Sequence, residues 1–129
     1  MEWTPIVDRV YDADISVSTE AAVTASTISL TIQLKDFEGN NLTVPAAVKV
    51  YLSEVATGLT ISTVTLTTDM SASVGDIVII TAYKTYLLVS NASGAITMSI
   101  SYTTTDDDLY LVVVMPNGRK VVSSKFEFE

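Results

Sequence analysis

The side chains able to do chemistry in this chain are carboxylates, hydroxyls and a few isolated lysines. Three aspartates stand together at Asp106-Asp107-Asp108, and clustered oxygens are what a hard cation such as calcium requires. The run lacks the alternating Asp-x-Asp-x-Asp-Gly spacing of a calcium loop, and adjacent aspartates cannot all point at one ion. It reads as a solvated loop between strands. Asp36-Phe37-Glu38-Gly39-Asn40 has the residues of a hairpin turn, with weak ion binding as the alternative. Asp69 and Asp76 flank a Ser/Gly loop and could pair as general acid and base. Nothing in the sequence brings a substrate near them. Lys84 beside Tyr83 and Tyr86 could form a sugar-binding platform, but exposed aromatics at strand ends are the plainer reading. Gly58, Gly75 and Gly94 are isolated and build no phosphate-cradling loop.

Two missing residue types decide more. With no cysteine there is no disulfide framework, thiolate metal site or thiol nucleophile, and with no histidine there is no Ser-His-Asp triad and no imidazole acid–base chemistry. Serine and threonine total 32, yet a hydroxyl without an activating base is a weak nucleophile. Hydroxyls facing outward from strands instead keep a β protein soluble. No enzyme emerges, and no cofactor or metal site.

Seven basic against fifteen acidic side chains give a net charge of −8, which argues against binding a phosphate backbone. The longest wholly apolar run, Leu109–Met115, is seven residues, far short of the ~20 that a membrane-spanning helix needs. The start, Met-Glu-Trp-Thr-Pro, has neither a positive segment nor an apolar stretch, so no secretory leader is expected. The matches at Asn41-Leu-Thr43 and Asn91-Ala-Ser93 then read as turn chemistry rather than glycosylation sites.

The elements that must position any site are strands. Valine, isoleucine and threonine supply 45 of 129 residues, and β-branched side chains suit a pleated surface better than a helix. Alternation agrees: Ile28, Leu30, Ile32 and Leu34 share one face, as do Val48, Val50 and Leu52, and Ile96, Met98, Ile100 and Tyr102. Lys49 and Tyr51 fall on the outward phase. Strands are expected near 14–20, 26–36, 46–54, 59–67, 76–82, 85–90, 95–103, 109–115 and 120–128. The 59–67 stretch changes phase, so a bulge is expected near Ser62–Thr63. Pro116-Asn117-Gly118 marks a tight hairpin. Ile77–Ile80 and Leu111–Val114 are apolar on both faces, which predicts central, covered strands; the alternative is an apolar face offered to a partner chain. The expected fold is an all-β, immunoglobulin-like antiparallel sandwich of about seven to nine strands.

The domain organisation expected is an extended N-terminal arm over residues 1–12 and one sandwich over 13–129. The arm carries Trp3, Pro5, Ile6, Val7, Val10 and Tyr11, an apolar load that needs a surface to lie on, its own or a neighbour's. Trp3, Ile6, Val7 and Tyr11 are the candidate partner-binding anchors, since buried aromatic and aliphatic anchors dominate interfaces. An edge strand over Lys120–Phe128, with Phe126 and Phe128 inward and Glu127 and Glu129 outward, is expected to tie down the other end.

One resemblance is carried by these residues. Thr31-Ile-Gln-Leu-Lys-Asp-Phe-Glu-Gly-Asn40, then Ala47-Val-Lys-Val-Tyr-Leu-Ser53 and Ala56-Thr-Gly58, resembles the opening of small immunoglobulin-like proteins of tailed-bacteriophage virions. Leu109-Tyr-Leu-Val-Val-Val-Met-Pro-Asn-Gly-Arg-Lys-Val-Val-Ser123 is similar to their final hairpin. The likeness covers about residues 25–125 and its motifs are structural. The Asp-x-x-Gly-Asn turn is shared with bacterial adhesin domains, but tandem repeats are missing here. The resemblance implies a non-enzymatic virion component: a head decoration or auxiliary capsid protein that binds the major capsid protein and stabilises the assembled shell, with homo-oligomerisation expected. It supplies no catalytic residues. A tail or fibre immunoglobulin-like component is the second expectation. A carbohydrate- or calcium-binding module using Tyr83, Tyr86, Tyr110 and Asp106–Asp108 is the third, and a carboxylate-pair hydrolase the last.

Overall fold

The computed structural model describes residues 10–17, 27–59, 61–62, 69–82, 84–101 and 109–125. Their backbone forms nine strands: β1 (Asp12–Val17), β2 (Thr27–Lys35), β3 (Ala47–Ser53), β4 (Ser71–Val74), β5 (Asp76–Thr81), β6 (Thr85–Val89), β7 (Ala95–Ser101), β8 (Tyr110–Val114) and β9 (Lys120–Val122). No helix occurs among the described residues. All pairings are antiparallel, in a four-stranded sheet β1-β2-β7-β4 and a five-stranded sheet β5-β6-β3-β8-β9. The expected all-β sandwich is what forms.

Period-two burial builds the core. Ile28, Leu30, Ile32 and Leu34 of β2 and Ile96, Met98 and Ile100 of β7 point inward from one sheet. Val48, Val50, Leu52, Tyr86, Leu88, Leu111 and Val113 meet them from the other. Burying each such side chain contributes about 1.5–3 kcal/mol against leaving it in water. The register aligns these rows: Ile32 faces Ile96 and Leu30 faces Met98 across β2–β7, while Val50 faces both Tyr86 and Val113. Val10, ahead of β1, also enters the core.

The turns are built by side-chain caps. Asp36 is buried, and its Oδ1 accepts from the backbone N–H groups of Glu38 (2.9 Å) and Asn40 (3.0 Å). Asn91 Oδ1 does the same for Ser93 (2.9 Å) and Ala95 (3.0 Å). In the β8–β9 hairpin Asn117 Oδ1 accepts from Arg119 N–H at 2.9 Å, and Met115 N–H donates to Arg119 C=O at 2.8 Å. The hairpin expected at Pro116 joins β8 to β9, whereas the Asp36 turn closes on an isolated antiparallel bridge between Lys35 and Asn41 and no hairpin joins β2 to β3, because those strands belong to different sheets.

Four further expectations need correction. β4 lies within Asp69–Asp76, which reads as a loop because Ser71-Ala-Ser-Val74 has little apolar content. A single residue, Gly75, separates it from β5, so the chain crosses from one sheet to the other at this corner. Gly75 has φ +82°, and a Cβ there would meet Val89 C=O oxygen at 2.4 Å, so only glycine fits. Leu59, Ile61 and Ser62, expected in a strand over 59–67, lie outside any strand. The bulge expected near Ser62–Thr63 and the rest of that stretch fall outside the described residues. Ile77–Ile80 is not central: β5 is the edge of the five-stranded sheet, although Leu111–Val114 does sit centrally, between β3 and β9. Finally, β9 ends at Val122, after which Ser123 N–H donates to Leu111 C=O and Ser123 Oγ accepts from Leu111 N–H, both at 2.9 Å. Phe126, Glu127, Phe128 and Glu129 lie outside the described residues.

Tyr51 also departs from its phase. It points away from the core, yet it is buried, because the 54–59 segment folds over it and accepts its hydroxyl hydrogen bond at Gly58 C=O. Val112, Val122 and Gly58 complete this small second cluster on the outer face.

Candidate functional site

Of the four proposed anchors, Tyr11 is described. It precedes β1, donates its N–H to Lys35 C=O at 2.8 Å and is 42 % exposed as a residue. The Arg119 guanidinium stands 5.2 Å from the ring centroid, and Arg119 also meets Asp12 at 3.6 Å. Tyr11 thus sits where the β8–β9 hairpin and the end of β2 converge, on the end of the sandwich that carries the Asp36 and Asn91 turns. Trp3, Ile6 and Val7 lie outside the described residues, as do Tyr83, Tyr102 and Asp106–Asp108.

The chemical candidates do not come together. Asp69 Oδ1 accepts the Tyr86 hydroxyl at 2.7 Å, whereas Asp76 is exposed at the start of β5. Met70, the four residues of β4 and Gly75 lie between them. Tyr86 is fully buried, which corrects its reading as an exposed aromatic: it shares the inward phase of β6 with Leu88, and its hydroxyl also accepts from Met70 N–H at 3.4 Å. It cannot face a sugar. Lys84 is half-buried and donates to Ser62 C=O at 3.2 Å, and Tyr110 is half-buried in β8. Among the described residues no group of three carboxylates could hold a metal ion, and no buried side-chain nitrogen or oxygen lacks a hydrogen-bond partner.

What the described surface offers instead is two unlike sheet faces. The outward row of the four-stranded sheet is polar: Asp12, Asp14, Ser16, Ser29, Thr31, Gln33, Ser71, Ser73, Thr97 and Ser99. The outward row of the five-stranded sheet is mostly apolar. Val78, Leu87, Val89, Val114 and Val122 face out there, with Lys49 and Lys120 among them. Its edge strand β5 carries Val78, Ile79 and Ile80, each about half exposed (52 %, 49 % and 52 %). Leu59 and Ile61 are exposed as well. Large apolar side chains in water at this density mark contact surfaces. Sequence reasoning found the apolar run at 77–80 but placed it in the interior, since alternation cannot tell a covered strand from an edge.

No family model, curated protein or solved structure matches this chain.

Proposed function

We propose that this chain is a non-enzymatic structural protein of a tailed-bacteriophage virion, a head decoration protein that binds the assembled shell of major capsid protein. The observation that carries the reading is an outward apolar sheet face, beside which the carboxylates of Asp36 and Asp69 are engaged in a turn and in a core hydrogen bond. Contact is the work such a surface suits. The strand order supports an immunoglobulin-like topology. β1-β2-β7-β4 and β3-β8-β9 fall in the places of the four- and three-stranded sheets of an immunoglobulin constant domain, and the β5–β6 hairpin is added beside β3. The resemblance over residues 31–58 and 109–123 points to the virion. Binding only the assembled shell would stabilise it by RT ln(1 + [L]/Kd).

Trp3, Ile6, Val7 and Tyr11 are the anchors in this reading. Because Val10 is part of the core and Asp12 opens β1, the test removes residues 1–9 and no more. Purified full-length chain is mixed with capsids lacking it and located by electron microscopy. Density on the head surface is the expected result, lost in the shortened chain. Density confined to tail or fibre, or none on any particle, refutes the head assignment.

A further inference from the structure

Sheet edges present unpaired N–H and C=O groups, and proteins blunt them with charge, brevity or bulges. Three of the four edges described here are blunted in these ways. β1 carries Asp12 and Asp14, β4 has four residues with a register break between Ala72 and Val74, and β9 has three residues beginning with Lys120. β5 is different. Its six residues, Asp76-Ile-Val-Ile-Ile-Thr81, hold no charge after Asp76, and its register against β6 is regular from Asp76 to Ile79. The single irregularity, the extra residue Ile80, falls at its far end.

We propose that β5 pairs with β5 of a second copy, antiparallel about a two-fold axis, joining two five-stranded sheets into one. This inference does not depend on the virion reading. Residues facing each other in an antiparallel pair either both turn their N–H and C=O groups toward the partner or both turn them away, so facing residues of two identical strands share parity and the two-fold axis passes between a residue and its own counterpart. Placed at Val78, the axis sets Val78 against its own counterpart, Ile77 against the second copy's Ile79, and Asp76 against its Ile80. The regular stretch from Asp76 to Ile79 supplies the pairs around the axis, the outermost contact alone reaches the extra residue Ile80, and no carboxylate meets another. Asp76 is the one charge in the strand, and antiparallel pairing places the two copies' carboxylates at opposite ends of the seam, so they stay apart.

Charge also selects this arrangement over stacking the two apolar faces. Lys49 is exposed at the middle of the outer face and Lys120 at its other edge, so face-on packing would press like charges together. Edge pairing leaves both in water. The exposed half of Val78 and Ile80 then becomes part of a continuous double-width apolar surface.

Sedimentation equilibrium of the full chain tests this across micromolar to submillimolar concentrations. The wild type should move from 13.8 kDa toward twice that mass. Val78→Lys and Val78→Asp, each at an exposed position, should each raise the dissociation constant at least about tenfold, because like charges meet on the axis. Mixing the two variants in equal amounts should restore the dimer, since Lys then faces Asp. Recovery on mixing cannot come from two misfolded variants. A wild type that stays monomeric throughout overturns the proposal and leaves the edge to a strand of another protein. A dimer indifferent to both substitutions, or no recovery on mixing, overturns β5 as its seam.

Discussion

Gly75 has the least room for a Cβ of the five glycines, and replacing it separates two physical effects. Gly75→Ala places a Cβ on a residue held at φ +82°, where an L side chain costs about 1–2 kcal/mol. The added carbon also falls 2.4 Å from Val89 C=O oxygen, when real Cβ contacts essentially never lie under 3.0 Å. That oxygen belongs to the backbone of β6, so the sheet itself must move by at least 0.6 Å. Overpacking of this kind costs about 1–3 kcal/mol, which brings the expected loss to about 2–5 kcal/mol. Gly39 and Gly118 are the controls. Their φ values are +84° and +88°, and nothing lies within 4 Å of a Cβ at either. Gly39→Ala and Gly118→Ala should therefore cost only the conformational part, about 1 kcal/mol. Asparagine sharpens the contrast, because it tolerates positive φ but still has a Cβ. Gly75→Asn should remain severe while Gly39→Asn is nearly silent. Urea unfolding followed by circular dichroism gives the midpoints, with an unchanged m-value showing that stability alone has shifted. If Gly75→Ala costs no more than Gly39→Ala, the corner between β4 and β5 is slack, and the argument that one residue fixes the sheet switch is wrong.

Other expectations concern the side chains that hold turns and core. Asp36→Ala removes the acceptor for two backbone N–H groups and should destabilise by about 1–2 kcal/mol, whereas Asp36→Asn keeps an oxygen and should lose less than half of that in the same urea titration. If the two variants lose equally, the caps contribute nothing. Tyr86→Phe keeps the ring in the core but removes the donor to Asp69 and the acceptor for Met70 N–H; a loss of about 1–3 kcal/mol in thermal unfolding is expected, and a neutral result would mean that neither bond matters.

Long alternating stretches were legible because burial on one face of a strand imposes a period of two, and β2, β3 and β7 show it over seven to nine residues. Where the reading failed, the cause was tertiary. β4 is too short and too rich in serine for a period of two to stand out, and its register breaks between Ala72 and Val74. The usable signal was the lone glycine between Val74 and Asp76, since one residue cannot close a hairpin and can only bend a strand into the other sheet. Tyr51 sits on the outward phase and is buried by a loop that pairs with nothing in the local pattern. Tyr86 looked like a strand-end aromatic because its inward phase is set by Leu88, two residues on. Ile77–Ile80 announced hydrophobicity without saying which strands would flank it. Of the candidate anchors, Tyr11 was read as part of an apolar arm, but its place over Arg119 follows from the return of β9 toward β1, which no local spacing encodes.

The interleaving of early and late strands sets when this molecule can close. The paired residues Ile32 and Ile96 lie 64 positions apart, and Leu52 waits for Leu111. During synthesis, β1, β2 and β3 must leave the ribosome before the strands that complete their sheets exist. Pairings this distant in sequence belong to the slow end of two-state folding, milliseconds to seconds. Through that interval the apolar β5 edge has no completed sandwich behind it, so yield on overexpression should be governed by encounters between half-made chains, and slower translation or lower temperature should raise the soluble fraction.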